Sequence, residues 1–123
     1  MKTILTPGAP QPIGPYSQAI EDGGTLFCSG QIAINPADGQ LHGDTAAEQA
    51  EQVCKNLKHV LEGAGFALSD VVKTTCFLVN PADFTPFNNV YARYFTTAPA
   101  RSCVFVSALP KGALVEVELI AKK

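Results

Sequence analysis

Apolar positions along this chain switch between a helical and a strand period, and the switches divide it into elements. From about residue 45 to 63, Ala46, Ala50, Val53, Leu57, Val60 and Leu61 recur at three- and four-residue spacing, the stripe of an amphipathic helix. Thr45 with Glu48 three residues later is a capping-box sequence, and Gly63 and Gly65 mark the stop. Residues 71–79 are β-branched and apolar and read as a central strand. Strands are also predicted at 16–21 and 25–32, joined by the turn Asp22-Gly23-Gly24, and at 102–108 and 114–121, joined by Leu109-Pro110-Lys111-Gly112. Residues 6–15, dense in Pro and Gly, read as a stiff loop, and Asn35 to Gly39 as a turn. A second helix follows Asn80-Pro81, with Asn80 able to cap it and Pro86 making its start irregular. Phe84, Phe87, Val90 or Tyr91, and Tyr94 form its inner face.

The order β-hairpin, α, β, α, β, β predicts an α+β sandwich, a mixed sheet with two helices on one face. Strand parity adds an oligomer argument. Val115, Val117 and Leu119 oppose Glu116, Glu118 and Ile120; Ser102, Val104, Val106 and Ala108 oppose Cys103, Phe105 and Ser107. Both faces carry apolar groups, and two helices cover one. The second face is expected to pack on other subunits, so that a site there is shared between chains.

Composition narrows the class. At 123 residues the chain is expected to be a single domain over 1–123. Charged residues make up 16%, under the usual quarter, which also favours an oligomer. The net charge is −2 and Lys and Arg are scattered, so no basic face for nucleic acid is expected. Cys28, Cys54, Cys76 and Cys103 form no CxxC pair; three fall in predicted strands and one on a helix, as free thiols in a reducing compartment. His42 and His59 are far apart, so no metal site of familiar spacing arises. No signal peptide is visible, and no apolar run approaches the ~18 residues that span a bilayer. A soluble cytoplasmic protein without membrane contact is the expectation.

Among these few charges, Arg101 follows Pro99-Ala100 at the mouth of a strand, where its planar fork suits a carboxylate. Glu116 and Glu118 share a face of the next strand, and one of them could be a general acid/base. Local chemistry leaves a structural pair between Arg101 and either acid open, and a wet, inert face as well. Tyr16 after Gly14-Pro15, the Ser29-Gly30 pair and Asn88 could line a cleft, or serve as turn, packing and surface residues. Cys103 has no histidine near it in sequence and reads as a buried inert thiol.

Taken together, Ile13-Gly14-Pro15-Tyr16-Ser17-Gln18-Ala19, Ser29-Gly30-Gln31-Ile32, Val72-Lys73-Thr74-Thr75, Asp83-Phe84 through Asn88 to Tyr91, Pro99-Ala100-Arg101-Ser102, Leu109-Pro110-Lys111-Gly112 and Val115-Glu116-Val117-Glu118 resemble the RidA (YjgF) family of imine deaminases. The Pro-Ala-Arg-Ser stretch, with Leu-Pro-Lys and Glu-x-Glu after it, is the most specific part. The resemblance implies a chorismate-mutase-like two-layer sandwich and a homotrimer with sites in the clefts between subunits. It implies hydrolysis of 2-imino acids, or their enamine tautomers, to 2-keto acids and ammonia, with no cofactor. It carries a substrate-carboxylate role to Arg101 and a water-activating role to Glu116. It makes Tyr16, Ser29, Gly30, Asn88 and Cys103 pocket residues. The stretch from Tyr94 to Arg101 is short beside many members, which bears on the size of the pocket mouth. Two other readings stand beside this one. One is a non-catalytic binder of small carboxylates. The other is an RNA-acting protein, as some relatives are described, against which the weakly acidic balance speaks.

Overall fold

Thr45 caps the long helix as its sequence predicts. Its Oγ1 accepts the Glu48 N–H at 3.2 Å while Glu48 Oε1 accepts the Thr45 N–H at 3.2 Å, so two otherwise orphaned donors are satisfied reciprocally. This structure, a computed structural model, describes residues 1–123. The strands are β1 (Lys2–Ile4), β2 (Ala19–Asp22), β3 (Thr25–Gln31), β4 (Ile34–Asn35) and β5 (Gln40–Leu41) before the helix, α1 (Ala46–Gly63). Then come β6 (Val71–Leu78), α2 (Phe84–Tyr94), β7 (Ala100–Phe105) and β8 (Val115–Lys122).

Six strands form one sheet in the order β1-β2-β3-β8-β6-β7, antiparallel throughout except for the parallel pair β6–β7. The expectation of an α+β fold with two helices on one face of a mixed sheet holds. Ala50, Val53, Leu57, Val60 and Leu61 of α1 are wholly buried against Val115, Val117 and Leu119 of β8 and their neighbours. Burial of each larger side chain stabilises the fold by about 1.5–3 kcal/mol. Two buried amides in α1 fix loops on the sheet: Asn56 Nδ2 donates to the carbonyls of Ile32 and Ile34, and Gln49 Oε1 accepts the N–H of Leu114 at the start of β8. The Asn35–Gly39 turn closes the small β4–β5 hairpin, and all four cysteines are free thiols. No helix is long and apolar enough to cross a membrane.

Several boundaries differ from the sequence pattern. Residues 16–18 lie outside β2, because the Gln18 side chain turns inward. It is 1% exposed, accepts the Thr6 N–H and donates to the carbonyls of Thr6, Ala9 and Pro10, latching the Pro-rich strap over the sheet edge. Asn80 makes no side-chain cap; a turn of 3₁₀ helix over Pro81–Asp83 leads into α2 instead. Phe84 is 39% exposed rather than packed inward. β7 begins earlier and ends earlier than the predicted 102–108.

The last two strands are not neighbours. β6 lies between β7 and β8, with Thr74 beside Arg101, and Thr75 and Phe77 beside Glu118 and Glu116. Thr74 is buried under the helices, so Arg101 shares the helix-covered face, whereas Glu116 and Glu118 project from the open one. This removes the structural pairing of Arg101 with either acid within one chain. The open face also carries exposed Phe27 and Val104 and the partly buried Phe77 and Ile120.

Candidate active site

The open face holds a cavity of about 710 Å³ that brings Tyr16, Ser29, Gly30 and Glu116 together. Its floor is a bulge: the β3–β8 register shifts between Cys28 and Gln31, at Ser29-Gly30. Ser29 Oγ donates to the Ser17 carbonyl at 2.6 Å, and the Ser29 N–H donates to the Gln18 carbonyl, tying the bulge to the segment that carries Tyr16. Gly30 lets the Glu116 carboxylate rest close against the backbone, since a Cβ there would overlap the flexible end of that side chain. Burial raises the Glu116 carboxyl above the usual carboxylate range, and the neighbouring charge of Glu118 adds to it.

Strap residues Gln11 and Ile13 also line this cavity, with Ile32, Ile34, Lys111 and Glu118. Lys111 has a left-handed backbone (φ 57°) in the Leu-Pro-Lys-Gly turn. Sequence reasoning named none of the strap and hairpin residues as lining. The Pro-rich composition of residues 6–15 is the signal that could have found the strap.

Asn88, Arg101 and Cys103 lie elsewhere, on the helix-covered side of the edge strand β7. Arg101 Nη1 donates to Asn88 Oδ1 at 2.7 Å, and the guanidinium carbon lies 4.8 Å from the Tyr91 ring centroid and 5.8 Å from that of Phe84. The other N–H groups of Arg101 have no oxygen partner within the chain. Cys103 is half-buried; burial raises its thiol, and the charge of Arg101 partly offsets this. Cys76, its register partner on β6, is wholly buried and pushed up to about 12. The seven candidate residues therefore form two half-sites on opposite faces of the sheet. No group of three or more His, Cys, Asp or Glu side chains is placed to hold a metal ion.

A family model described as Endoribonuclease L-PSP matches residues 6–123. A solved RidA from an Antarctic Psychrobacter superposes with a TM-score of 0.95 at 42% identity, covering 100% of both chains. The chain belongs to the RidA/YjgF/RutC family. Its RidA-family relatives include a RutC family protein of Pyrococcus horikoshii, 49% identical over 99% of this chain and 98% of that one. A structure described as Escherichia coli TdcF with bound serine is 38% identical, with a TM-score of 0.95 over 100% of this chain and 99% of that one. The RidA-family fold thus extends from end to end of the chain, and both half-sites fall inside it.

Proposed function

We propose that this protein hydrolyses reactive 2-imino acids, and their enamine tautomers, to 2-keto acids and ammonia, in clefts completed by a neighbouring copy of the chain. The observation that carries the reading is the placement of Glu116. A partly buried carboxylate with a raised affinity for protons rests against a backbone bulge in a cavity large enough for a small acid and water. Family membership and the free guanidinium edge of Arg101 support it.

Arg101 holds the substrate carboxylate through two parallel hydrogen bonds and orients the imine carbon, so much of the rate comes from positioning. Glu116 takes a proton from a water as its oxygen attacks that carbon and the C=N electron pair moves to nitrogen. The carbinolamine then collapses. Glu116 gives the water's proton to nitrogen and then relays the hydroxyl proton to the same nitrogen as the carbonyl forms, so that the C–N bond breaks and ammonia leaves. Glu116 ends as it began, and the step needs no redox partner.

Because Arg101 and Glu116 face opposite sides of one sheet, the reading requires that two chains meet. The exposed Phe27 and Val104 on the open face, in a chain poor in charge, favour such packing, and a closed homotrimer is the assembly proposed. A cavity carrying Glu116 and Glu118 repels a phosphate backbone, which disfavours RNA as substrate.

The test generates 2-aminoacrylate with a pyridoxal-phosphate dehydratase acting on serine and follows its decay. Wild type accelerates the decay, Arg101→Ala loses substrate affinity, and Glu116→Ala loses turnover while keeping keto-acid binding. Tight keto-acid binding without any acceleration by wild type would make the protein a binder rather than an enzyme.

A further inference from the structure

One stripe of α2 surrounds the Arg101 guanidinium. Phe84, Asn88 and Tyr91 lie four and three residues apart, so they share a helix face. Asn88 fixes one nitrogen at 2.7 Å, while the rings of Tyr91 and Phe84 face the cation at 4.8 and 5.8 Å. Tyr91 is itself held. It is 8% exposed, its ring packs on Phe87 and Phe95, and its hydroxyl lies 2.7 Å from Oγ1 of Thr74, which is wholly buried in β6. Thr74 is also the register partner of Arg101, so the strand that carries the cation and the ring beneath it are referenced to the same residue.

We propose that Tyr91 is a positioning residue for Arg101, with Thr74 locking the ring and Phe84 closing the outer side. The inference rests on the reading of Arg101 as the carboxylate clamp. A single hydrogen bond to Asn88 leaves a guanidinium on an edge strand free to swing about that contact. An aromatic face attracts the cation electrostatically and fixes its plane. A clamp ordered before the substrate arrives loses less freedom on binding, so the ring acts on affinity without touching substrate.

The chain has two arginines, and Arg93, on the outer side of α2 beside Glu51, is an internal reference. The experiment measures rotation of each guanidinium about Nε–Cζ by ¹⁵N NMR, and keto-acid affinity by calorimetry with 2-oxobutanoate. In Tyr91→Leu, Arg101 is expected to rotate about tenfold faster and 2-oxobutanoate to bind about tenfold more weakly, with the Arg93 signal unchanged. Tyr91→Phe, which keeps the ring, restores most of both. Phe84→Leu, at an exposed position, gives a smaller acceleration and carries the test alone if Tyr91→Leu does not fold. Unchanged Arg101 rotation in both leucine variants overturns the proposal. If wild type binds no keto acid and consumes no imine, the function reading fails, while the rotation measurement still decides whether Tyr91 holds Arg101.

Discussion

Arg101 and Glu116 project from opposite faces of the same sheet, with β6 between the strands that carry them. Neither can reach the other within one chain. The site proposed for this protein therefore has a stoichiometric signature that a site within one chain lacks.

Arg101→Ala and Glu116→Ala chains, each inactive alone, should complement when refolded together. A random one-to-one mixture gives each cleft a one-in-four chance of drawing an intact Arg101 and an intact Glu116. About a quarter of wild-type turnover should return. A mixture as inactive as its components would place both residues outside a shared site.

Gly30→Ala should cost turnover with little loss of fold. The new Cβ meets the Glu116 side chain, whose flexible end can move away. The displaced carboxylate no longer addresses the same water, and about a 10–100-fold drop in kcat is expected. Thermal midpoint and kcat measured together separate the two effects; unchanged kcat would show that the contact does not position Glu116.

Gln18→Ala should destabilise the protein by about 2–3 kcal/mol, because it leaves the part-buried N–H of Thr6 and carbonyl of Pro10 without their partner and weakens the hold on the Ala9 carbonyl. The strap also carries Gln11 and Ile13, which wall the cavity, so KM should rise as well. Denaturant titration and steady-state kinetics check both; a variant with stability and KM both unchanged would mean that the strap is held elsewhere.

Glu51 braces α1 to α2. It accepts the Tyr94 hydroxyl at 2.7 Å and pairs with Arg93, and these contacts, the tyrosine first, hold its carboxyl below the usual carboxylate range. A depressed folded value stabilises the fold above the ordinary carboxylate range, about pH 4–5, and is lost as pH falls through the lower folded value. Glu51→Gln should lower the thermal midpoint at pH 7 by roughly 3–5 °C. The gap to wild type should close toward pH 3, and a gap independent of pH would rule out the ionic part.

The longest helix was legible because its signals are local. Thr45 and Glu48 sit within one turn of each other, and the stripe from Ala50 to Leu61 repeats at the helical period. The parity of β8 was legible for the same reason, since Glu116 and Val117 need only a pleat to separate them. The strand predicted at 16–21 starts only at Ala19, because Gln18 leaves the alternation to bind the strap 8–12 residues earlier in the chain, a contact that no local period encodes. Phe84 read as a core residue because helical spacing cannot tell an inward aromatic from one placed over an arginine on another strand.

By itself the sequence determined the two helices, five of the strands of the main sheet, the side on which the last strand presents its acids, and the family. Periodicity, capping and motif order are properties of neighbouring residues. Only the tertiary structure decided that β6 is inserted between β7 and β8, which sends Arg101 under the helices and leaves Glu116 on the open face. Strand order is fixed by the packing of the whole core, through the crossover of α2 that makes β6 and β7 parallel. That packing decides which residues can share a site.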